Sequence, residues 1–164
     1  MNIAMGIKKV SSNLDELERR LKALQSTTGS VGVTVEDGIH EPSGMLYTDL
    51  HWIHAAGSSA NNLPPRNVAL VAKLSFNGED ILRSGMDKYF SNLNKKGTMK
   101  PEDVFKPYLE GLLDYTKNYV FGSTTKLAPN SPYTVSLKGK NTPMIETGQL
   151  MDAWKVRING KVVN

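Results

Sequence analysis

The sequence predicts an α+β domain, with one antiparallel sheet of about four or five strands and two or three helices packed on one face. Three observations lead there. Leu14, Leu17, Leu21 and Leu24 recur at helical spacing. Val31, Val33 and Val35 alternate as a strand does, and the run from Ala153 to Val163 alternates enough to be a terminal strand.

Taken in order, the first helix runs over about 13–26, capped by Ser12 or Asn13, with Glu16 completing a capping-box pattern behind Asn13. Its polar side carries Glu18, Arg19 and Lys22, and the segment Thr27 to Ser30, containing Gly29, ends it. The strand at Val31 to Val35 follows, and Asp37-Gly38 is a turn signal. Ser43 to Ala56 holds Met45, Leu46, Leu50, Trp52 and Ile53, which fit a short amphipathic helix or an irregular strand; the helix is preferred. Gly57 to Pro65 is a loop by composition, and the apolar run Val68 to Phe76 reads as a strand.

Two further helices come next. One spans about 78–92 with Ile81, Leu82, Met86, Tyr89 and Phe90 turned inward, although Gly85 costs it about 1 kcal/mol relative to alanine. The other starts near Pro101 and continues to Val120, with Gly122 as its stop. Pro107 either kinks that helix or moves its start towards Lys106. Residues 123–142 then form a long polar connection with a strand near Thr134 to Leu137; connections of that length usually serve a function, and contact with a neighbouring subunit is the economical one.

At 164 residues the chain is most economically a single domain, 1–164, with a core that needs no metal or disulfide. An apolar share of 39% with 7% aromatics favours a subunit that reserves surface for partners. The absence of cysteine excludes disulfides, thiolate zinc sites and cysteine nucleophiles. No apolar run is long enough to span a bilayer, and the N-terminus lacks the apolar core of a secretory signal; synthesis in a cytoplasm and no membrane partner are expected. The net charge of +4 is spread over pairs such as Lys8-Lys9, Arg19-Arg20 and Lys95-Lys96 rather than gathered on one face.

Candidate chemistry is sparse. His51 and His54 are three apart, so on a helix they share a face and could both ligate zinc, with His40, Glu41 and Asp49 near in sequence; packing or subunit contact is the simpler role. Serines and Asp49 or Asp80 could be assembled into a triad, but no Gly-x-Ser-x-Gly elbow exposes a nucleophile, and no Gly-x-x-x-x-Gly-Lys cradles a phosphate. Glu79-Asp80 and Glu102-Asp103 sit at expected helix starts, where carboxylates favour the positive end of the dipole. Tyr115, Tyr119 and Phe121, with Lys117 and Lys126, fit either a core stripe or a stacking platform for nucleic acid. Met144, Ile145, Leu150, Met151 and Trp154 fit equally a helix docked on the sheet and an anchor between subunits. No catalytic residue, cofactor site or metal site is assigned, and the chain is read as a non-enzyme.

The segment from Asn130 to Ile158 carries a resemblance. Ser131, Pro132, Thr134, Lys138, Gly139, Pro143, Ile145, Thr147, Gly148 and Leu150, with Met144 where leucine is common, resemble the C-terminal signature of tailed-bacteriophage proteins of the virion-morphogenesis, tail-completion and neck type. A second, looser match is the loop ending in Pro64-Pro65-Arg66 after His54-Ala55-Ala56-Gly57; the acidic and aromatic pair between that His and Gly is missing, and Asn67-Val68 stands where Pro-Phe is usual. The resemblance implies a structural virion protein at the head-tail junction: a tail-completion, tail-terminator or neck subunit. It would form a ring of its own copies around the DNA channel, beside connector or tail-tube proteins, with non-specific DNA contact in the lumen. Pro132, Thr134, Lys138, Gly139, Pro143, Met144, Ile145, Thr147, Gly148, Leu150 and Trp154 are then interface candidates, with loop contacts from Pro64, Pro65 and Arg66. The rival readings are a nucleic-acid-binding protein of phage origin and a metal-dependent hydrolase using His51 and His54.

Overall fold

A computed structural model of the chain describes residues 3–91, 93 and 99–163, the side chains of 3–12 excepted. Lys95-Lys96 lie outside the described residues, as do the side chains of Lys8-Lys9. Helix and sheet are both present, as an α+β chain requires, with seven α-helices and five strands among the described residues. The layout is not one sheet backed by helices. Strands β1 (Gly29–Gly32), β4 (Lys155–Ile158) and β5 (Lys161–Val162) form one sheet in the order β1-β4-β5, while β2 (Ile39–His40) and β3 (Met45–Leu46) form another. The chain divides into two compact units, one from the segments up to Ser30, Asn77–Leu109 and Arg157–Val163, the other from Val31–Phe76 and Glu110–Val156.

In the first unit, α1 (Ile3–Gln25) begins upstream of the expected cap, so Asn13 lies within the helix and the capping box is not formed. The residues before it include Ala4, Met5, Lys8 and Lys9, all strong helix formers, which carry the helix backwards past Ser12. Glu16 serves another purpose. Its carboxylate takes hydrogen bonds from Arg19 at 2.7 Å and Arg20 at 2.7 Å, and those two guanidinium groups hold its pKa down at about 2. Leu14 and Leu21 are exposed, and the positions that bury are Arg20 and Leu24. Arg20 also donates to the main-chain carbonyls of Tyr89 and Ser91, which lie at the end of α4 (Glu79–Phe90). Leu24, Tyr89 and Val104 form the core here, packed by Leu82, Met86, Phe90 and Phe105.

α5 (Glu102–Tyr115) starts one residue after Pro101 and continues through Pro107, so the later start is not used. The paired carboxylates Glu79-Asp80 and Glu102-Asp103 occupy the first turns of α4 and α5. The expected strand Ala153 to Val163 is instead a hairpin end: β4 and β5 pair antiparallel with Arg157 opposite Val162 and Ile158 opposite Lys161. Asn159 and Gly160 make the two-residue turn, both at positive φ (51° and 77°), as an Asn-Gly hairpin requires.

In the second unit, α2 (Tyr47–Ala56) fills the region for which a helix was preferred, behind the β2-β3 ladder that pairs Ile39 with Leu46 and His40 with Met45. The strand expected at Val68 to Phe76 is helix α3 (Val68–Ser75). Asn67 caps it, its side-chain oxygen accepting from Leu70 N at 2.9 Å, and Val68 and Ala72, one turn apart, are both buried. The strand expected at Thr134 to Leu137 is helix α6 (Pro132–Lys138), capped by Ser131, started by Pro132 and closed by Gly139 at φ 70°. Capping chemistry at both ends outweighs the short alternation. Of the strand expected at Val31 to Val35 only Val31 lies in β1; Val33 is outside it and Val35 opens a 3-10 turn, Val35–Asp37, whose Asp37 carboxylate is held by Thr34 N at 2.7 Å and Lys155 Nζ at 2.8 Å.

Beyond α5 the chain makes a π-helical turn, Thr116–Val120, and the short α7 (Gln149–Asp152) precedes β4. Val68, Ala72, Val120, Phe121, Leu127, Leu150 and Trp154 form the core of this unit. Residues 123–142 are therefore not a free loop, because Leu127 is buried and α6 occupies their second half.

Gly85 tests the packing of the first unit. A Cβ there would stand 2.9 Å from the Val104 carbonyl oxygen and 3.4 Å from its Cα, so α4 meets α5 where only glycine fits. Gly85→Ala gains about 1 kcal/mol of helix propensity but forces a backbone contact apart. A net loss of about 1–2 kcal/mol is expected in chemical denaturation; equal or greater stability in the variant would contradict the close approach.

Candidate functional site

The signature segment and the Pro-Pro-Arg loop meet at one place. A cleft of about 780 Å³ in the second unit is lined by His54, Pro64, Arg66, Ser131, Thr134, Lys138, Met144, Thr147, Gly148 and Leu150, together with Asn130 and Gln149. These positions are far apart in sequence. Their convergence starts at Gly57, which ends α2 at φ 72° and where a Cβ would lie 2.7 Å from the Leu63 carbonyl oxygen and 2.7 Å from Pro65 N. Only glycine allows the loop to fold back on the helix end. Arg66 N then donates to the His54 carbonyl at 2.7 Å, fixing Arg66 beneath α2.

The Arg66 side chain is 5% exposed and reaches the 123–142 segment. Its Nε donates to the Ala128 carbonyl at 2.7 Å and its Nη2 to the Pro129 carbonyl at 2.7 Å. Burial pushes its pKa down from the ordinary arginine value, against a range so high that the charge stays. Lys138, on α6, brings a second cation to the cleft and reaches the Ile145 carbonyl at 3.5 Å and the exposed Glu146 carboxylate at 3.8 Å.

His51 and His54 lie one turn apart on α2. Both are pushed below the ordinary histidine pKa, His51 by burial and His54 by burial first and then by Arg66, His51 and Lys138. The Nδ1 atom of each is buried without a hydrogen-bond partner. His54 lines the cleft, as does His40, whereas the His51 ring meets Trp154 edge-on at 5.4 Å. Among the described residues no three His, Cys, Asp or Glu side chains gather as a metal set would.

Several interface candidates take other places. Trp154 is 3% exposed, packed edge-on to Phe121 at 5.6 Å, so of its two expected roles it takes the docked core one. Leu150 and Pro143 are buried with it. Pro64, Arg66, Thr134, Lys138, Met144, Thr147 and Gly148 line the cleft, whereas Pro65, Pro132, Gly139 and Ile145 do not. Tyr115 packs against the core while Tyr119, stacked on it at 5.4 Å, is 62% exposed; the core stripe holds only the first. Asn130 and Gln149 carry no motif of their own, and only their positions flanking the signature could have drawn attention to them. Tyr133 and Leu137 on α6 are 73% and 70% exposed, which the strand reading of that segment concealed.

Comparison with family models, with curated proteins and with solved structures finds no match for the chain. The described residues contain no helix long and apolar enough to cross a membrane.

The buried histidines make stability depend on pH. Their folded pKa values lie below the unfolded 6.5, so the stability they contribute is complete above about pH 6.5 and is lost as pH falls through the lowered values. The thermal midpoint should fall between about pH 7 and about pH 5, and less steeply in His54→Gln than in the parent. Parallel curves for the two proteins would show that His54 is not held neutral by its surroundings.

Proposed function

We propose that the chain is a structural subunit of a tailed-bacteriophage virion, joining sister copies in a ring at the head-tail junction in a tail-completion, tail-terminator or neck role. One observation carries the reading. Within the segment that resembles the phage signature, a helix capped at both ends presents Tyr133 and Leu137, one turn apart, almost fully to solvent. Large apolar side chains on a helix at the edge of a cleft whose lining they share with polar groups have the composition of a contact surface. Trp52 at 67% and Leu74 at 76% exposure add apolar area in the same unit, as head-to-tail contact between copies would use on two different patches.

The mechanism is mechanical. Each copy offers one patch to the next, and the rotation between copies closes the ring around the DNA path. Leu127 is part of the core and Arg66 is anchored on Ala128 and Pro129, so removing residues 123–142 would collapse the unit rather than release a soluble monomer. Point substitutions on α6 are the informative change.

A nucleic-acid role has one observation in its favour. Tyr119 is exposed and stacked on Tyr115, and Lys126 Nζ lies 5.6 Å from the Tyr115 ring centre, the mixture of aromatic and cation that stacks bases. In a ring subunit the same group serves as a non-specific DNA contact in the lumen. A primary nucleic-acid binder would instead show affinity falling steeply with salt.

The double variant Tyr133→Ser with Leu137→Ser should keep the parent circular dichroism and thermal midpoint, since neither side chain is in the core. In a phage lacking its own copy of the gene, this variant should fail to restore finished particles where the parent restores them, and electron microscopy should place the parent at the head-tail junction. Particles that mature without the chain, or full rescue by the double variant, would remove the proposal.

A further inference from the structure

The first unit contains a buried arginine whose charge is matched: Arg20 donates to two main-chain carbonyls and also to the Glu16 carboxylate. Arg66 is built the same way and lacks the last part. Its side chain is held by the neutral carbonyls of Ala128 and Pro129, and no carboxylate among the described residues pairs with it. A buried charge without a counter-charge is costly, and native chains normally pair it. The one carboxylate on the cleft, Glu146, is 76% exposed and faces Lys138 at 3.8 Å.

The chemistry of the guanidinium then fixes what fits. Nε and Nη2 share one edge, which Ala128 and Pro129 occupy. One hydrogen of Nη1 and the second hydrogen of Nη2 make the remaining fork, which matches the two oxygens of a carboxylate. Lys138 adds a second positive charge to the lining, which also includes the amide residues Asn130 and Gln149. The walls also carry Leu50, Leu63, Leu137, Met144 and Leu150. A volume of about 780 Å³ lies within the roughly 300–1,000 Å³ of sites for small ligands, and is enough for a few residues of an extended peptide.

We propose that this cleft is a receptor for an acidic, partly apolar peptide segment, whose carboxylate is received by the Nη1/Nη2 edge of Arg66 with Lys138 beside it. The apolar walls favour a peptide over a free inorganic anion, and the burial of Arg66 keeps it from a duplex backbone. The inference goes beyond the ring reading and does not require it, because it concerns a cleft that any acidic segment of matching shape would fill.

The test uses the whole chain labelled with ¹⁵N, with the Arg66 Nε resonance as reporter. The probes are acetyl-Leu-Glu-Leu-amide, the same peptide with Gln for Glu, and inorganic phosphate. Saturable shifts of the Arg66 resonance with the Glu peptide are expected, with the Gln peptide and phosphate each at least about tenfold weaker, the loss of one charge-assisted fork. Arg66→Lys, which keeps the charge but loses both the fork and the reporter, should weaken the Glu peptide by a similar factor when binding is read by isothermal titration calorimetry. If that variant does not fold, Lys138→Gln, at the cleft mouth, should weaken it by about threefold or more while the thermal midpoint is unchanged, read by calorimetry. Equal binding of the Gln peptide, tighter binding of phosphate, or no saturable shift with any probe would overturn the proposal. Such a failure leaves the assembly reading standing, since that is scored on Tyr133 and Leu137 without any peptide.

Discussion

The second unit depends on one clamp, the Arg66 side chain held on the carbonyls of Ala128 and Pro129. Among the described residues these bonds are the polar tie between the loop that follows α2 and the segment that follows the π-helical turn, and both border the cleft. The clamp is set by events on both sides. Gly57 allows the chain to double back under α2, and the Arg66 amide locks onto the His54 carbonyl, so the guanidinium leaves from a fixed base. On the far side Leu127, immediately before the carbonyls that Arg66 holds, is buried in the core. A charged side chain thus positions two segments that have little apolar surface of their own to pack. Lysine could not do the same, because a single ammonium lacks the two parallel donors that this pair of adjacent carbonyls requires.

A comparable device serves the first unit, where Arg20 reaches from α1 to the carbonyls at the end of α4. Modest apolar content explains why the chain relies on such clamps. With few large side chains to bury, each unit has a small core, with five buried apolar residues in the first and nine in the second among the described residues, and orphaned carbonyls at element ends become the cheapest points of attachment. The difference is in neutralisation. Glu16 balances Arg20 from one turn away, while the second unit leaves the positive field of Arg66 to act on its surroundings, where it contributes to holding His54 below its ordinary pKa.

Much of this was legible in the sequence. The helices α4 and α5 follow from apolar spacing, α2 matches the preferred of two readings of its segment, and the loop at Gly57 to Pro65 follows from composition. The strands assigned at Val68 to Phe76 and at Thr134 to Leu137 failed for one reason: a short apolar or alternating run does not distinguish strand from helix, and the caps decide. Asn67 and the Ser131-Pro132 pair were visible and are helix starts. Asn159-Gly160 likewise marks the hairpin that was read as a single strand. The site was legible only as two separate patterns, the signature and the Pro-Pro-Arg loop. What brought them together is the Arg66 clamp, and a long-range bond to main-chain carbonyls leaves no trace in the residues that accept it.

Backbone strain falls in the same region. Among the described residues three other than glycine have positive φ: Asn62, Met144 and Asn159. Asparagine tolerates that conformation, but methionine has no local hydrogen bond to offset it, and the left-handed region costs such a residue about 1–2 kcal/mol. Met144 is held there from both sides, because Pro143 before it is fully buried with its carbonyl accepting from Gly122 N at 2.9 Å, and Ile145 N after it donates to Thr142 at 3.2 Å. Met144 is also a wall of the cleft, as is Asn62. An unfavourable backbone angle enforced by its neighbours, at the place where a buried cation has no matching charge, is more economically explained by the shape of the cleft than by the stability of the unit. Strain of that kind persists where geometry rather than packing is what the structure maintains.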